Sequence, residues 1–202
     1  MSGLKPVKMR SGRPWNGATR PYVVLSSYAT ALFIGDPVIK MGDMNTAVVK
    51  GGLQTYDVGA LQAVNKATVG DGNAITGVIV AIEPVASDLE KPYSPASTEA
   101  IVHVCDDPDV LFEIQADAAL TAAASVGLNA VLIATTAGDT VTGLSGIELD
   151  SGTSDAPAAD ASNQLLIVAP VTRPDQDYTG KPKFEVLINN HTEAPQGMLG
   201  IS

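Results

Sequence analysis

The chain has 202 residues, with 12 lysines and arginines against 22 aspartates and glutamates, for a formal net charge of −10. That length suits one domain, or two small lobes sharing a core, and buries enough surface to need no metal or disulfide staple. The acidic balance argues against general affinity for DNA or RNA, and no run reaches the roughly 18 apolar residues of a membrane span.

The charge is unevenly spread. Asp36 is the first acid, and Lys5, Lys8, Arg10, Arg13 and Arg20 all precede it, among Pro6, Pro14 and Pro21. Everything after residue 35 carries about −15. Residues 1–21 therefore predict an extended basic arm that cannot bury enough apolar surface to fold alone, and that stays idle or is ordered from outside its own domain. No apolar run follows these cations, so the arm does not read as a secretory signal, and synthesis in the cytoplasm is expected. Trp15, the one tryptophan, either folds back on its own body or docks on a partner. Lys5, Lys8, Arg10, Arg13, Trp15, Arg20 and Tyr22 form the candidate partner-binding set.

From Tyr22 the pattern changes to short β-favouring runs broken by turn residues. In residues 22–83 these are Tyr22–Leu25, Ala31–Ile34, Val38–Lys40, Ala47–Lys50, Leu53–Val58 and, strongest of all, Ile75–Ile82. Such spacing indicates a sandwich or barrel. Residues 84–99, with Pro84, Pro92 and Pro95, read as a long loop or a linker.

Residues 100–202 restart with Ile101–Cys105 and Val110–Gln115. The acidic turn Asp106-Asp107-Pro108-Asp109 between them suggests a hairpin. Ala116–Val126 holds six alanines, with Asp117 placed as an N-cap and Gly127 as C′, and predicts one short helix. Further strands are expected at 129–135, 143–149, 164–171 and 184–189, with 150–163 an exposed loop. The fold class is therefore mainly β: a sandwich or barrel-like domain with one short Ala-rich helix and an extended N-terminal arm.

Catalytic signals are sparse. His103 and Cys105 share one strand face and resemble half of a metal corner, but no further cysteine exists to complete a zinc site. A structural histidine and a buried inert thiol are the plainer reading. Asp106, Asp107 and Asp109 crowd together, yet Pro108 interrupts the ligand alternation of a calcium loop, and a solvated turn is favoured. There is no GxGxxG, no GxxxxGK[ST] and no GxSxG. Scattered carboxylates leave room for a glycosidase pair. No cofactor or metal is expected.

The layout of residues 100–192 resembles structural proteins of tailed-bacteriophage heads, in particular the decoration or cement proteins. The stretches that carry it are Asp106-Asp107-Pro108, Phe112–Gln115, Ala116–Val126, Gly127-Leu128-Asn129, Ser145–Leu149, Leu165–Val168, Val171–Pro174 and Val186–His191. The resemblance implies a non-enzymatic virion protein on the outer capsid surface, made in the host cytoplasm. It also implies a homo-oligomer, trimers being common, that clamps neighbouring major capsid subunits and binds neither nucleic acid nor membrane. Trp15 and Tyr22, with Tyr56, Tyr93 and Tyr178 on the body, are the candidate interface aromatics. The alternatives are another phage component, such as a tail or head-fibre-base protein, and a small β-rich hydrolase acting on glycans.

Overall fold

The computed structural model describes residues 3–52, 54–85, 89–152, 155–174, 176–177 and 179–194. Leu53 and Tyr178 therefore lie outside the described residues, as do parts of the 84–99 and 150–163 loops and of the arm. The strands are β1 (Lys5–Met9), β2 (Arg20–Val24), β3 (Pro37–Met44), β4 (Val49–Lys50), β5 (Thr55–Tyr56), β6 (Gln62–Lys66) and β7 (Gly77–Ile82). They continue with β8 (Ala100–Cys105), β9 (Val110–Gln115), β10 (Asn129–Ala130), β11 (Leu132–Ile133), β12 (Glu148–Leu149), β13 (Leu165–Pro170) and β14 (Lys183–Ile188). The helix α1 spans Ala122–Ser125. The mainly β expectation holds.

Two sheets make the body. β2, β6, β3, β7 and β8 close into a barrel in that order, and β1, β9, β14, β13 and β10 form a five-stranded sheet. Neighbours are antiparallel except β2 with β6. Side-chain alternation assigns the faces. In β8, Ala100, Val102 and Val104 fill the barrel with Tyr22, Val24, Val38, Val64 and Ile79. Ile101 points outward beneath the β4–β5 hairpin and packs with Tyr56 and Leu61. Cys105 points outward beneath the five-stranded sheet, among Val78, Phe112, Ile114, Phe184 and Val186. A strand covered on both faces reads as a continuous apolar run, and this explains residues 100–105. Gly77 lets β7 pass close to the end of β8, since a Cβ there would sit 2.4 Å from the carbonyl oxygen of Cys105.

Four expectations need correction. Residues 101–105 and 110–115 are not a hairpin. β8 is already paired on both sides by β2 and β7, and β9 by β1 and β14, so the acidic turn carries the chain from barrel to sheet. The change of layer falls at 106–109 and not at 84–99, whose Ser94 is bridged to Leu32 against the barrel. The helix is only four residues long, because Ala116 bridges Leu149 and the Asp117 N–H donates to the Leu149 carbonyl. Tertiary pairing overrides alanine propensity there. Thr121 takes the N-cap position, while Gly127 follows the helix at φ +88° as expected of C′.

The fourth correction concerns the arm. Residues 5–9 are extended, but they form the edge strand β1 of the molecule's own sheet, with Lys5 opposite Glu113 and Met9 opposite Val110. The chain then doubles back. The Met9 N–H donates to the Arg13 carbonyl at 2.7 Å, and Lys8 bridges Pro14, so β1's outer side is covered along its second half. At the opposite edge Ala158 bridges Asn129 of β10.

Candidate partner-binding surface

Leu4 anchors the segment. Its side chain is 1% exposed in the core shared by sheet and barrel, and its N–H donates to the Gly35 carbonyl at 3.0 Å. Gly3 precedes it at φ +60°, with the Gly35 oxygen 2.4 Å from where a Cβ would lie, so no other residue fits without displacement. Pro6 is buried as well. The two apolar residues supply the burial that a count of lysines and prolines hides.

The seven candidate residues separate into two groups. Lys5, Lys8, Arg10, Arg13 and Trp15 lie on β1 and its return turn, while Arg20 and Tyr22 lie on β2 in the barrel. Lys5, Arg10 and Arg13 are exposed. Lys8 crosses the sheet to Glu185, its Nζ 2.6 Å from Oε2. Trp15 is half-buried against the shared core, and its indole Nε1–H is buried without a hydrogen-bond partner among the described residues. Trp15 thus folds back on its own body. Arg10 ties the turn to the interlayer crossing, its N–H donating to the Asp109 carbonyl at 2.6 Å.

Arg20 and Tyr22 converge on Asp106. The Tyr22 hydroxyl donates to Oδ2 at 2.7 Å, and an Arg20 guanidinium nitrogen lies 3.1 Å from the same oxygen. Arg20 also reaches Glu193 at 3.5 Å, and Glu193 in turn pairs with Lys40. Burial, and then the Asp106 carboxylate, push the Tyr22 phenol up to about 12. Tyr22 is 5% exposed, so it is a structural residue of the barrel and offers no surface to a partner. The two other described aromatic candidates are also spent internally: Tyr56 of β5 is buried against Ile101 and Leu61, and Tyr93 stacks on Phe33 with centroids 5.1 Å apart.

Asp106 is buried instead of solvated, unlike the exposed Asp107 and Asp109. The Asp107 carboxylate accepts the Asp109 N–H at 2.9 Å and shapes the turn. His103 and Cys105 do share the outward face of β8, but they serve different surroundings. His103 Nε2 lies 2.9 Å from Oε1 of Glu83, whereas burial, reinforced by the charges of Asp106 and Asp107, pushes the Cys105 thiol up to about 12. His191 is buried, and its Nδ1 accepts the Glu193 N–H at 3.0 Å. Burial, aided by the Lys40 charge and opposed by Asp106 and Asp107, lowers its pKa. Among the described residues, no three His, Cys, Asp or Glu side chains gather as a metal site.

Ion pairing decides which cations are neutralised within the molecule. Lys8, Arg20, Lys40, Lys66, Arg173, Lys181 and Lys183 each meet a carboxylate. Lys5, Arg10, Arg13 and Lys50 meet none among the described residues; Arg13 bonds only the Ser11 hydroxyl, at 3.4 Å. Sequence reasoning found the cations but missed Lys40, Glu193 and the pairing role of Asp106. No local pattern marks groups that meet from positions 20, 40, 106 and 193. No protein-family model, curated protein or solved structure matches this chain.

Proposed function

We propose that this protein is a non-enzymatic virion component that binds the outer capsid surface and stabilises the shell, and that it does so as a small homo-oligomer, a trimer by the resemblance. One observation carries the docking assignment. Among the described residues, four cations lack an intramolecular partner, and three of them, Lys5, Arg10 and Arg13, collect along one strand and its turn on an otherwise acidic body, the fourth being Lys50 on β4. A cationic strip of this kind suits an acidic surface on major capsid subunits, and many copies acting together need only modest affinity each. Trp15 and Tyr22 take no direct part. Leu4 and β1 hold the strip in place.

The test is co-sedimentation with empty shells. The triple variant Lys5→Glu, Arg10→Glu, Arg13→Glu should remain folded and lose shell binding, and wild-type binding should weaken as salt rises. Undiminished binding by the triple variant would sink the assignment.

A second reading, a glycan-acting hydrolase, has one observation in its favour. The Glu83–His103 pair adjoins a cavity of about 340 Å³ whose wall includes Glu83, Glu99 and Thr98. Turnover of a polysaccharide that disappears in Glu83→Gln would favour it over the capsid role.

A further inference from the structure

Asn16-Gly17 is the one Asn-Gly pair in the chain. Both residues are exposed, in the segment that leads from the Arg10–Arg13 turn to β2. The side-chain Oδ1 of Asn16 accepts the Ala18 N–H at 3.0 Å. That bond draws electron density from Cγ and makes the carbon a better electrophile. Gly17 sits at φ +81°, and apart from its chain neighbours no described atom lies within 4 Å of where a Cβ would be, so neither a side chain nor the surrounding fold stiffens the backbone whose nitrogen must turn toward Cγ. Asn45, Asn129, Asn163, Asn189 and Asn190, by contrast, are buried. In Asn45 the amide is locked, donating to the Ala47 and Asp57 carbonyls and accepting the Leu61 N–H.

We propose that Asn16 is a site of spontaneous amide loss through a cyclic imide formed with Gly17. The Gly17 backbone nitrogen gives up its proton to water or hydroxide and bonds to Cγ. The Cγ–Nδ2 bond breaks, and Nδ2 takes a proton from water and leaves as ammonia. Water then adds to either ring carbonyl and reopens the ring, giving aspartate or its β-linked isomer. Water is the only co-reactant, and no oxidant or reductant is consumed.

The product places a new negative charge between Arg13 and Arg20, and the β-linked form adds a carbon to the backbone beside Trp15. Age would thereby weaken the cationic strip. This consequence rests on the docking role proposed above; the chemistry does not.

Peptide mapping of the full chain, held folded at mildly alkaline pH, tests the reaction. The peptide bearing Asn16 should accumulate two isomeric acids, faster as pH rises, and the Gly17→Ala variant should lose most of that conversion. An unchanged Asn16 in the folded chain, while the excised peptide reacts, overturns the proposal. So does equal conversion in Gly17→Ala. Shell binding is then compared for fresh protein, aged protein and aged Asn16→Ser. Binding that falls only in the aged wild type supports the consequence. Conversion with undiminished binding leaves the modification standing and overturns the docking role assigned to this strip.

Discussion

Lys66 on β6 places its Nζ 2.9 Å from Oδ1 of Asp36, a carboxylate with no exposed surface. The same oxygen accepts the Ser145 hydroxyl at 2.6 Å, and Oδ2 accepts the Phe33 N–H at 2.9 Å. One side chain thereby ties the turn before β3, the strand β6 and the 139–146 loop. Removing one partner of a buried pair strands the other, so Asp36→Ala should cost about 3–5 kcal/mol in urea unfolding. A loss under about 1 kcal/mol, the range of an exposed pair, would show that the clamp is not structural.

Gln164 is fully buried and makes four side-chain hydrogen bonds. Oε1 accepts the Gly70 and Leu132 N–H groups, and Nε2 donates to the Thr68 and Asn73 carbonyls. It fastens the loop before β7 to the five-stranded sheet. Gln164→Leu keeps the bulk and abandons four backbone groups, so about 3 kcal/mol of stability should go even if water rescues some of them. Amide exchange at Gly70 should accelerate more than exchange at β14.

Trp15 gives a prediction of sign. Its Nε1–H is buried with no acceptor among the described residues, so Trp15→Phe removes an unsatisfied donor and should be neutral, or stabilising by up to about 1 kcal/mol. Trp15→Ala loses the ring's contact with the shared core and should destabilise by about 2 kcal/mol. Thermal unfolding of the two variants checks the ordering; a Phe variant weaker than the Ala variant would contradict it.

Deleting residues 3–9 takes away Leu4 and β1, and with them one of the two partners of β9 and part of the cover over Phe112. The truncated chain should aggregate or melt well below the full one. Light scattering and thermal melts would tell this from a detachable arm, whose removal would leave the transition unmoved.

Stability should fall at both ends of the pH scale. Folded Tyr22 and Cys105 have pKa values near 12, above the ordinary 10.0 and 9.0, so the stability they contribute is complete below pH 9 and is lost as pH rises toward 12. His191 is held neutral, with its pKa lowered from 6.5, so stability is lost as pH drops below about 6.5. Tyr22→Phe should flatten the alkaline limb above pH 10, and His191→Gln the slope between pH 7 and 5. Urea midpoints across pH read both, and unchanged slopes would refute the assignment.

The fold was legible where burial is two-sided. Residues 75–79 and most of 100–105 are covered on both faces, by sheet or hairpin on one side and the barrel interior on the other, and such runs stand out in any reading. β6 did not stand out, since Gln62, Asn65 and Lys66 flank its only two buried residues, Val64 in the barrel and Ala63 on the opposite face beneath the β4–β5 hairpin. β1 was hidden for a related reason: Pro6 and two lysines signal a tail, and only its pairing with β9 makes it a strand. Ala116 and Asp117 obeyed a long-range tie to Leu149 instead of the local preference of an alanine-rich run. At the candidate surface the cations were visible at once. Which of them are neutralised at home depends on Glu185, Asp106 and Glu193, acids far along the chain that meet them only after folding.

The margins of the five-stranded sheet are partly covered by the chain itself, the second half of β1 by residues 13–15 and Asn129 of β10 by Ala158. Copies crowded on a repeating lattice would meet at concentrations where an open ladder recruits one sister after another into a fibril. With its margins partly covered, this molecule offers a shorter ladder to a sister sheet, and in the capsid role proposed above its choice of neighbours would rest more on side-chain chemistry.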